Sequence, residues 1–275
     1  MTKARRELAA LMPSQDVLIE VLDARMPLSS ANPVIAAMRG DRPCIRILSR
    51  SDLADPAVTA AWQRRFAAEP GMIAFAATTT QAGEIRKRFV EALRRLGLVS
   101  SPGRPVRALI AGIPNVGKST LINTLMERAV AKVSDKPAVT KVQKKVALPT
   151  GTVLTDSPGL MWPKIEDDEV GLRLALAGSI PDTAVDHVLL ARFGCTLFTA
   201  RYPALLKARF KLTELAVNPD QIIDDIGRRR GCLRAGGVVD RHKAAELIVH
   251  EFRAGTLGRI SLDAAPAPAP APVSS

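Results

Sequence analysis

Gly112-Ile-Pro-Asn-Val-Gly117-Lys118-Ser119 follows directly on the apolar run Val106–Ala111. The pattern is G-x-x-x-x-G-K-S, with a strand predicted before it and a helix, Lys118–Glu127, after it. Glycines allow the tight turns that curl amide N–H groups around phosphate oxygens. Lys118 adds a point charge for the β- and γ-phosphates, Ser119 offers a hydroxyl to magnesium, and the helix start adds its dipole. Asn115, Val116, Gly117, Lys118, Ser119 and Thr120 form the expected phosphate-binding set. A glycine-rich turn without a ligand is the plain alternative. All three fixed residues between the required flanks favour a nucleoside triphosphate.

Downstream, Val153-Leu154-Thr155-Asp156-Ser157-Pro158-Gly159 reads as a short strand ending in Asp-x-Pro-Gly. Alone this is an ordinary turn. At this distance after a phosphate loop, Asp156 is placed to hold magnesium and Gly159 to bring a backbone N–H to the γ-phosphate. Between them, Lys136-Pro-Ala-Val-Thr140 is polar, and Thr140 is a candidate magnesium ligand alongside Ser119 and Asp156. Guanine-reading P-loop proteins carry Asn-Lys-x-Asp at a strand end, and nothing of that kind follows Asp156. The candidate lies upstream instead: Cys44-Ile-Arg-Ile-Leu48, then Ser49-Arg50-Ser51-Asp52. Asp52 would accept from the guanine N1–H and exocyclic amine. A second base-contacting loop is expected at Thr78, after the strand Met72–Ala76. The bland alternative is a strand end followed by Asp55-Pro56 capping a helix.

Base-binding loops before phosphate-binding loops is a permuted order. With the residues quoted, the chain resembles the circularly permuted GTPases of ribosome assembly, of the YlqF/RbgA type. The resemblance rests also on Val21-Leu22-Asp23-Ala24-Arg25-Met26-Pro27-Leu28-Ser29-Ser30-Ala31-Asn32-Pro33, Asp156-Ser-Pro-Gly-Leu-Met-Trp-Pro163, Val170-Gly-Leu-Arg-Leu-Ala175, Gly231-Cys-Leu-Arg-Ala-Gly-Gly237 and Gly258-Arg259. It implies GTP and GDP as substrate and product, Mg2+ as cofactor, and the bacterial large ribosomal subunit with its rRNA as partner. It also implies a potassium ion held near Asn115. Leu160 stands where many GTPases place a water-orienting glutamine. The resemblance assigns that task to a histidine in a Pro-Gly-His segment expected before Met1. His187, His242 and His250 do not match it, so the catalytic residue stays unassigned and hydrolysis is expected to be slow or ribosome-dependent. Ser49 and Arg50 replace the family's asparagine and lysine, and Ser49 is expected to be too short to bridge base and phosphate loop. A non-hydrolysing, GTP-responsive rRNA-binding module is the alternative function, and a P-loop ATPase or kinase the next.

Bulk properties limit the classes. No apolar run is long enough to span a membrane, and no secretory signal opens the chain. A cytoplasmic protein with reduced thiols is expected. Cys44, Cys195 and Cys232 lack a C-x-x-C spacing, and with only three histidines no zinc site is expected. The net charge of +12 favours an anionic partner. Basic residues crowd at Lys136, Lys141, Lys144 and Lys145, and at Arg228, Arg229, Arg230, Arg234, Arg241 and Lys243. Aromatics are 4%, so phosphate contact with folded RNA fits better than base stacking, and DNA is not expected.

The alternation of strand and helix over 1–165 predicts an α/β fold, a doubly wound sheet in permuted P-loop order. Expected elements are strands Val17–Leu22, Cys44–Leu48, Met72–Ala76, Val106–Ala111, Lys141–Leu148 and Thr152–Asp156, with helices Asn32–Met38, Pro56–Phe66 and Gly83–Leu98. Residues 166–262 predict a smaller all-helical domain: Asp168–Ala177, Ala184–Phe193, Pro203–Phe210, Pro219–Arg228 and His242–Phe252. Residues 263–275, rich in Pro and Ala, predict an extended, disordered tail without chemistry.

Overall fold

The computed structural model describes residues 3–126, 145–162, 165 and 167–267. Thr140, Lys136, Lys141 and Lys144 lie outside them. The described residues up to 162, with 263–267, form one compact unit, and 165–262 form a second.

The first unit is built on β1 (Val17–Asp23), β2 (Cys44–Ser49), β3 (Met72–Ala76), β4 (Val106–Ala111), β5 (Lys145–Ala147) and β6 (Thr152–Asp156). They hydrogen-bond in the order β3-β2-β1-β4-β6-β5, all parallel except β5, which runs antiparallel to β6. All seven residues of β1 are buried, as a central parallel strand covered on both faces requires. One of them is Glu20. The parallel register sets it beside Arg46 of β2, whose Nε donates to Glu20 Oε2 at 2.9 Å while its guanidinium lies 4.4 Å over the Phe66 ring. The pair is neutralised inside rather than solvated.

The helices begin where capping residues say they should. Asn32 Oδ1 accepts from Val34 N before α2 (Pro33–Arg39), and Asp55 Oδ1 accepts from Ala57 N before α3 (Pro56–Ala67). α4 (Ala82–Arg95) buries Ile85, Phe89, Ala92 and Leu93. It stops short of the expected Leu98, because Gly97 turns left-handed (φ 71°) and Leu98 N folds back onto Leu93 O. α5 (Lys118–Leu125) follows the phosphate loop. A first helix, α1 (Lys3–Leu11), was not expected; its Leu8 joins Met12, Leu18, Leu22, Ile35, Trp62 and Leu160 in one core cluster.

The tail expected from 263 is corrected at its start. Asp263 is 3% exposed. Its carboxylate accepts from Leu28 N (2.7 Å), Ser29 N (2.9 Å) and Ser29 Oγ (2.6 Å), and Trp62 Nε1 donates to Ala264 O. One carboxylate satisfying three donors in the loop after β1 anchors the returning chain. No spacing rule connects residues so far apart in sequence.

The second unit contains α6 (Asp168–Leu176), α7 (His187–Arg201), α8 (Pro203–Phe210), α9 (Pro219–Arg229) and α10 (Arg241–Arg253). α7 differs from the expected Ala184–Phe193. Asp186 caps it by accepting from Val188 N, so Ala184 falls in a preceding 3-10 turn. Buried Leu190, Ala191, Cys195 and Phe198 carry it beyond Phe193, with Phe198 against Phe252 of α10 at 5.4 Å between centroids.

Candidate nucleotide-binding site

Parallel pairing brings the C-terminal ends of the strands to one edge of the sheet, where Ser49 ends β2, Ala76 ends β3, Ala111 ends β4 and Asp156 ends β6. The loops leaving those ends therefore meet, as ligand-binding loops of open α/β sheets do. The phosphate loop leaves β4 at Gly112, where a Cβ would stand 2.6 Å from Val21 O. Only glycine passes β1 that closely. Gly117, at φ 96°, makes the left-handed turn that starts α5. Val116 is buried, while Asn115 and Ser119 are exposed at the rim and Thr120 is half-buried.

Lys118 curls back over the loop, and its Nζ donates to Gly112 O (3.1 Å) and Ile113 O (3.0 Å). Burial pushes its pKa down to about 8, opposed by the nearby Asp156 carboxylate. An anionic phosphate in the loop would restore the charge that burial disfavours.

The Asp156-Ser-Pro-Gly turn is fastened to the same strand. Ser157 Oγ donates to Ile110 O at 2.7 Å and Leu160 N to Gly112 O at 3.2 Å. A Cβ on Gly159 would lie 3.0 Å from Pro114 Cα and 3.2 Å from Lys118 Nζ, so the glycine lets the turn touch the phosphate loop. Ser119 and Asp156 offer only oxygen donors, the chemistry magnesium prefers, and both flank Lys118. They fit a nucleotide-bound Mg2+.

Leu160 is 5% exposed and packs in the core cluster. Its carbonyl accepts from Asn32 Nδ2 at 2.7 Å while Asn32 Oδ1 caps α2. The position after Gly159 therefore does not orient water. The Asn32 bridge was not anticipated, although Asn32 sits in a quoted motif; a helix-capping asparagine gives no sign of its second bond.

The upstream loop reaches the phosphate loop in two places. Ser49 Oγ donates to Val116 O at 2.6 Å, with Leu22 O also near at 2.9 Å. Ser49 is expected to be too short to bridge base and phosphate loop; its hydroxyl makes the phosphate-loop half of that bridge, because the strands bring the two backbones close together. Arg50, left-handed at φ 54°, sends its Nη2 to Asn115 O at 2.7 Å. Its other terminal nitrogen lies 3.7 Å from Asp23. Asp52 is exposed in the following turn, and Ser51 N donates to Ala77 O, next to Thr78. Ser49 and Arg50 thus touch the phosphate loop, and the Ser51–Ala77 bond sets the turn that carries Asp52 beside the one that carries Thr78.

Behind them Asp23 is buried. Burial raises its pKa, but the fully buried Arg25 overrides this and holds the carboxyl below its ordinary value. Arg25 Nε and Nη2 donate to Asp23 Oδ1 and Oδ2 at 3.0 and 2.7 Å. The Asp23-Ala-Arg25 run at the end of an apolar strand was the available signal for this pair.

The basic stretch of the second unit is largely committed. Arg228, Arg230, Arg234 and Arg241 pair with Asp225, Glu251, Asp240 and Asp224. Among the described residues, the exposed Arg229 and Lys243 side chains have no ion pair.

Comparison with known proteins agrees with this geometry. The profile of the 50S ribosome-binding GTPase family matches residues 107–193. Ribosome biogenesis GTPase A of Bacillus cereus is 40% identical, over 96% of this chain and 91% of that protein. Its namesake from Bacillus pumilus is 37% identical, over 96% and 95%. Among solved structures, GNP-bound YlqF from T. maritima superposes with a TM-score of 0.66 at 27% identity, covering 95% of this chain and 98% of that one.

Proposed function

The chain belongs to the ribosome biogenesis GTPase A family and is a GTPase, and from that premise we propose that it is an assembly factor for the bacterial large ribosomal subunit whose affinity for the subunit is set by bound GTP or GDP. The observation that carries the reading is the stitched pair of loops at one sheet edge, phosphate loop and base loop in permuted order, in a relative of ribosome biogenesis GTPases over 96% of its length.

In this reading residues 1–165 bind and hydrolyse the nucleotide. Backbone amides of 115–120, with Lys118, hold the phosphates, and Asp52 selects guanine. Ser119, Asp156 and, in the GTP state, Thr140 hold Mg2+, which neutralises charge between the phosphates. Gly159 follows the γ-phosphate. Leu160 is committed to the core, so the attacking water is oriented by another group, and hydrolysis is slow until the subunit helps. Asn115, at φ 58° on the loop's outer side, is the place for a potassium ion. Swapping potassium for sodium should lower turnover; unchanged turnover removes that ion.

Residues 166–262 carry the contact with rRNA, by phosphate contacts from basic residues such as Arg229 and Lys243 rather than by DNA binding. The protein works in the cytoplasm, where subunits assemble. The Asp156-Ser-Pro-Gly turn leads along the chain into the helical unit, which supports a nucleotide-dependent change in subunit contact. Co-sedimentation with purified large subunits tests the reading, using a non-hydrolysable GTP analogue, GDP and an ATP analogue. Pelleting with the GTP analogue alone is expected. Equal pelleting in all three would overturn the switch.

A further inference from the structure

Two of the three histidines in the chain are brought together by the helical unit. His187 is the first residue of α7, and His242 the second of α10. Their rings meet edge to face with centroids 6.0 Å apart. Glu246 lies one turn beyond His242, on the same helix face, with Oε1 3.6 Å from His242 Nδ1. One potential ligand atom from each of the three residues lies within 4.8 Å of the other two.

We propose that His187, His242 and Glu246 form a binding site for a divalent transition-metal ion of the zinc type. Zinc takes imidazole nitrogen and carboxylate oxygen in tetrahedral array, with bonds of about 2.0–2.2 Å that set neighbouring ligand atoms about 3.3 Å apart. The His242–Glu246 pair is close to that spacing already. Side-chain rotation of His187, a residue at a helix start, closes the third vertex, and water completes the fourth. Magnesium, which prefers oxygen, is not suited to this donor set, so the site is chemically distinct from Ser119 and Asp156.

Two further features support it. Asp182 Oδ1 stands 3.7 Å from His187 Nε2 and is itself held by Arg253 at 2.9 Å. A carboxylate beside a metal-bound imidazole fixes its orientation and basicity. The frame is also fixed: Asp186 and Asp240 cap the two helices, and Phe198 packs on Phe252 farther along the same pair. A bound ion would tie the start of α7 to the start of α10.

The test is calorimetric titration of zinc into the full chain, stripped of metal by chelator and free of nucleotide. Binding of one ion per chain is expected, with a rise in melting temperature. H187A, H242A and E246Q should each weaken it by about tenfold or more. H250A, at an exposed histidine on the same α10, should not. Cobalt in place of zinc should give the intense visible absorption of a tetrahedral site. E246Q sits on a partly exposed face and keeps the side-chain shape, so its loss of binding is not a folding failure. Absence of saturable binding overturns the proposal. So does an H187A variant that binds as the wild type does, which would reduce the site to a surface His–Glu pair.

Discussion

In the sheet unit, Arg25 and Arg46 lie inside, 0% and 8% exposed, each on a buried carboxylate. In the helical unit, Arg192, Arg234 and Arg241 pair with Asp220, Asp240 and Asp224 at the surface. The residue types are the same and the physics is not. A buried pair that loses one member strands a charge in a low dielectric, whereas a surface pair that loses one member is resolvated by water. The interior pairs accordingly fix geometry: Arg25 holds Asp23, and Asp23 faces Arg50, which reaches the phosphate loop. The surface pairs reduce how much of the positive charge of the helical unit is left without an acidic partner.

Arg25→Met should break this contrast hardest. Removing one member of a buried pair costs about 3–5 kcal/mol. Both tryptophans, Trp62 and Trp162, lie in the sheet unit, so the urea transition followed by their fluorescence reads that unit. A midpoint equal to wild type would show that Asp23 is not dependent on Arg25. The sign of the pH effect follows from the depressed Asp23 pKa. Its stabilisation is in place above the ordinary aspartate value of 3.8 and is lost as pH falls below it through the folded value.

Lys118→Ala comes next. Losing the charge-assisted contacts to phosphate, about 3 kcal/mol, should weaken GTP binding about 100-fold while leaving the urea midpoint largely intact. An unaltered affinity would mean the loop binds something else. Asp52→Asn should reduce the preference for GDP over ADP by about tenfold, the value of one or two hydrogen bonds. An unchanged ratio would remove Asp52 from base reading. Arg241→Met is the smallest: circular dichroism melts should barely move, because the pair it breaks is solvated. A large drop there would erase the distinction between the units.

The backbone frame of the candidate site is legible in the sequence because its motifs are local. The residues of 112–120 and 156–159 sit in short local stretches, and glycine is dictated at 112 and 159 by close backbone approach and at 117 by a left-handed φ of 96°. Strands β1 and β4 are legible because central parallel strands are mostly apolar, with Glu20 and Asp23 in β1 and the exposed Arg107 in β4 as the exceptions. Less legible were the bonds between loops. The Ser49 hydroxyl bond to Val116 O has no signature in the sequence, since its reach depends on how near two parallel strand ends lie. α7 was placed too early because Asp186, not the apolar run, decides where it begins.

The sequence by itself determined the permuted order of motifs, the nucleotide class and the division into sheet and helical parts. These follow from short-range patterns of glycine, charge and hydrophobic period. Only the tertiary structure decided that Asp263 returns to cap the loop at Leu28 and Ser29, that Asn32 holds the Leu160 carbonyl, and that His187 meets His242. Each joins residues distant in the chain. Such pairings are selected by the desolvation cost of leaving a buried polar group unmatched, or by helix packing, and neither leaves a fixed spacing in the sequence.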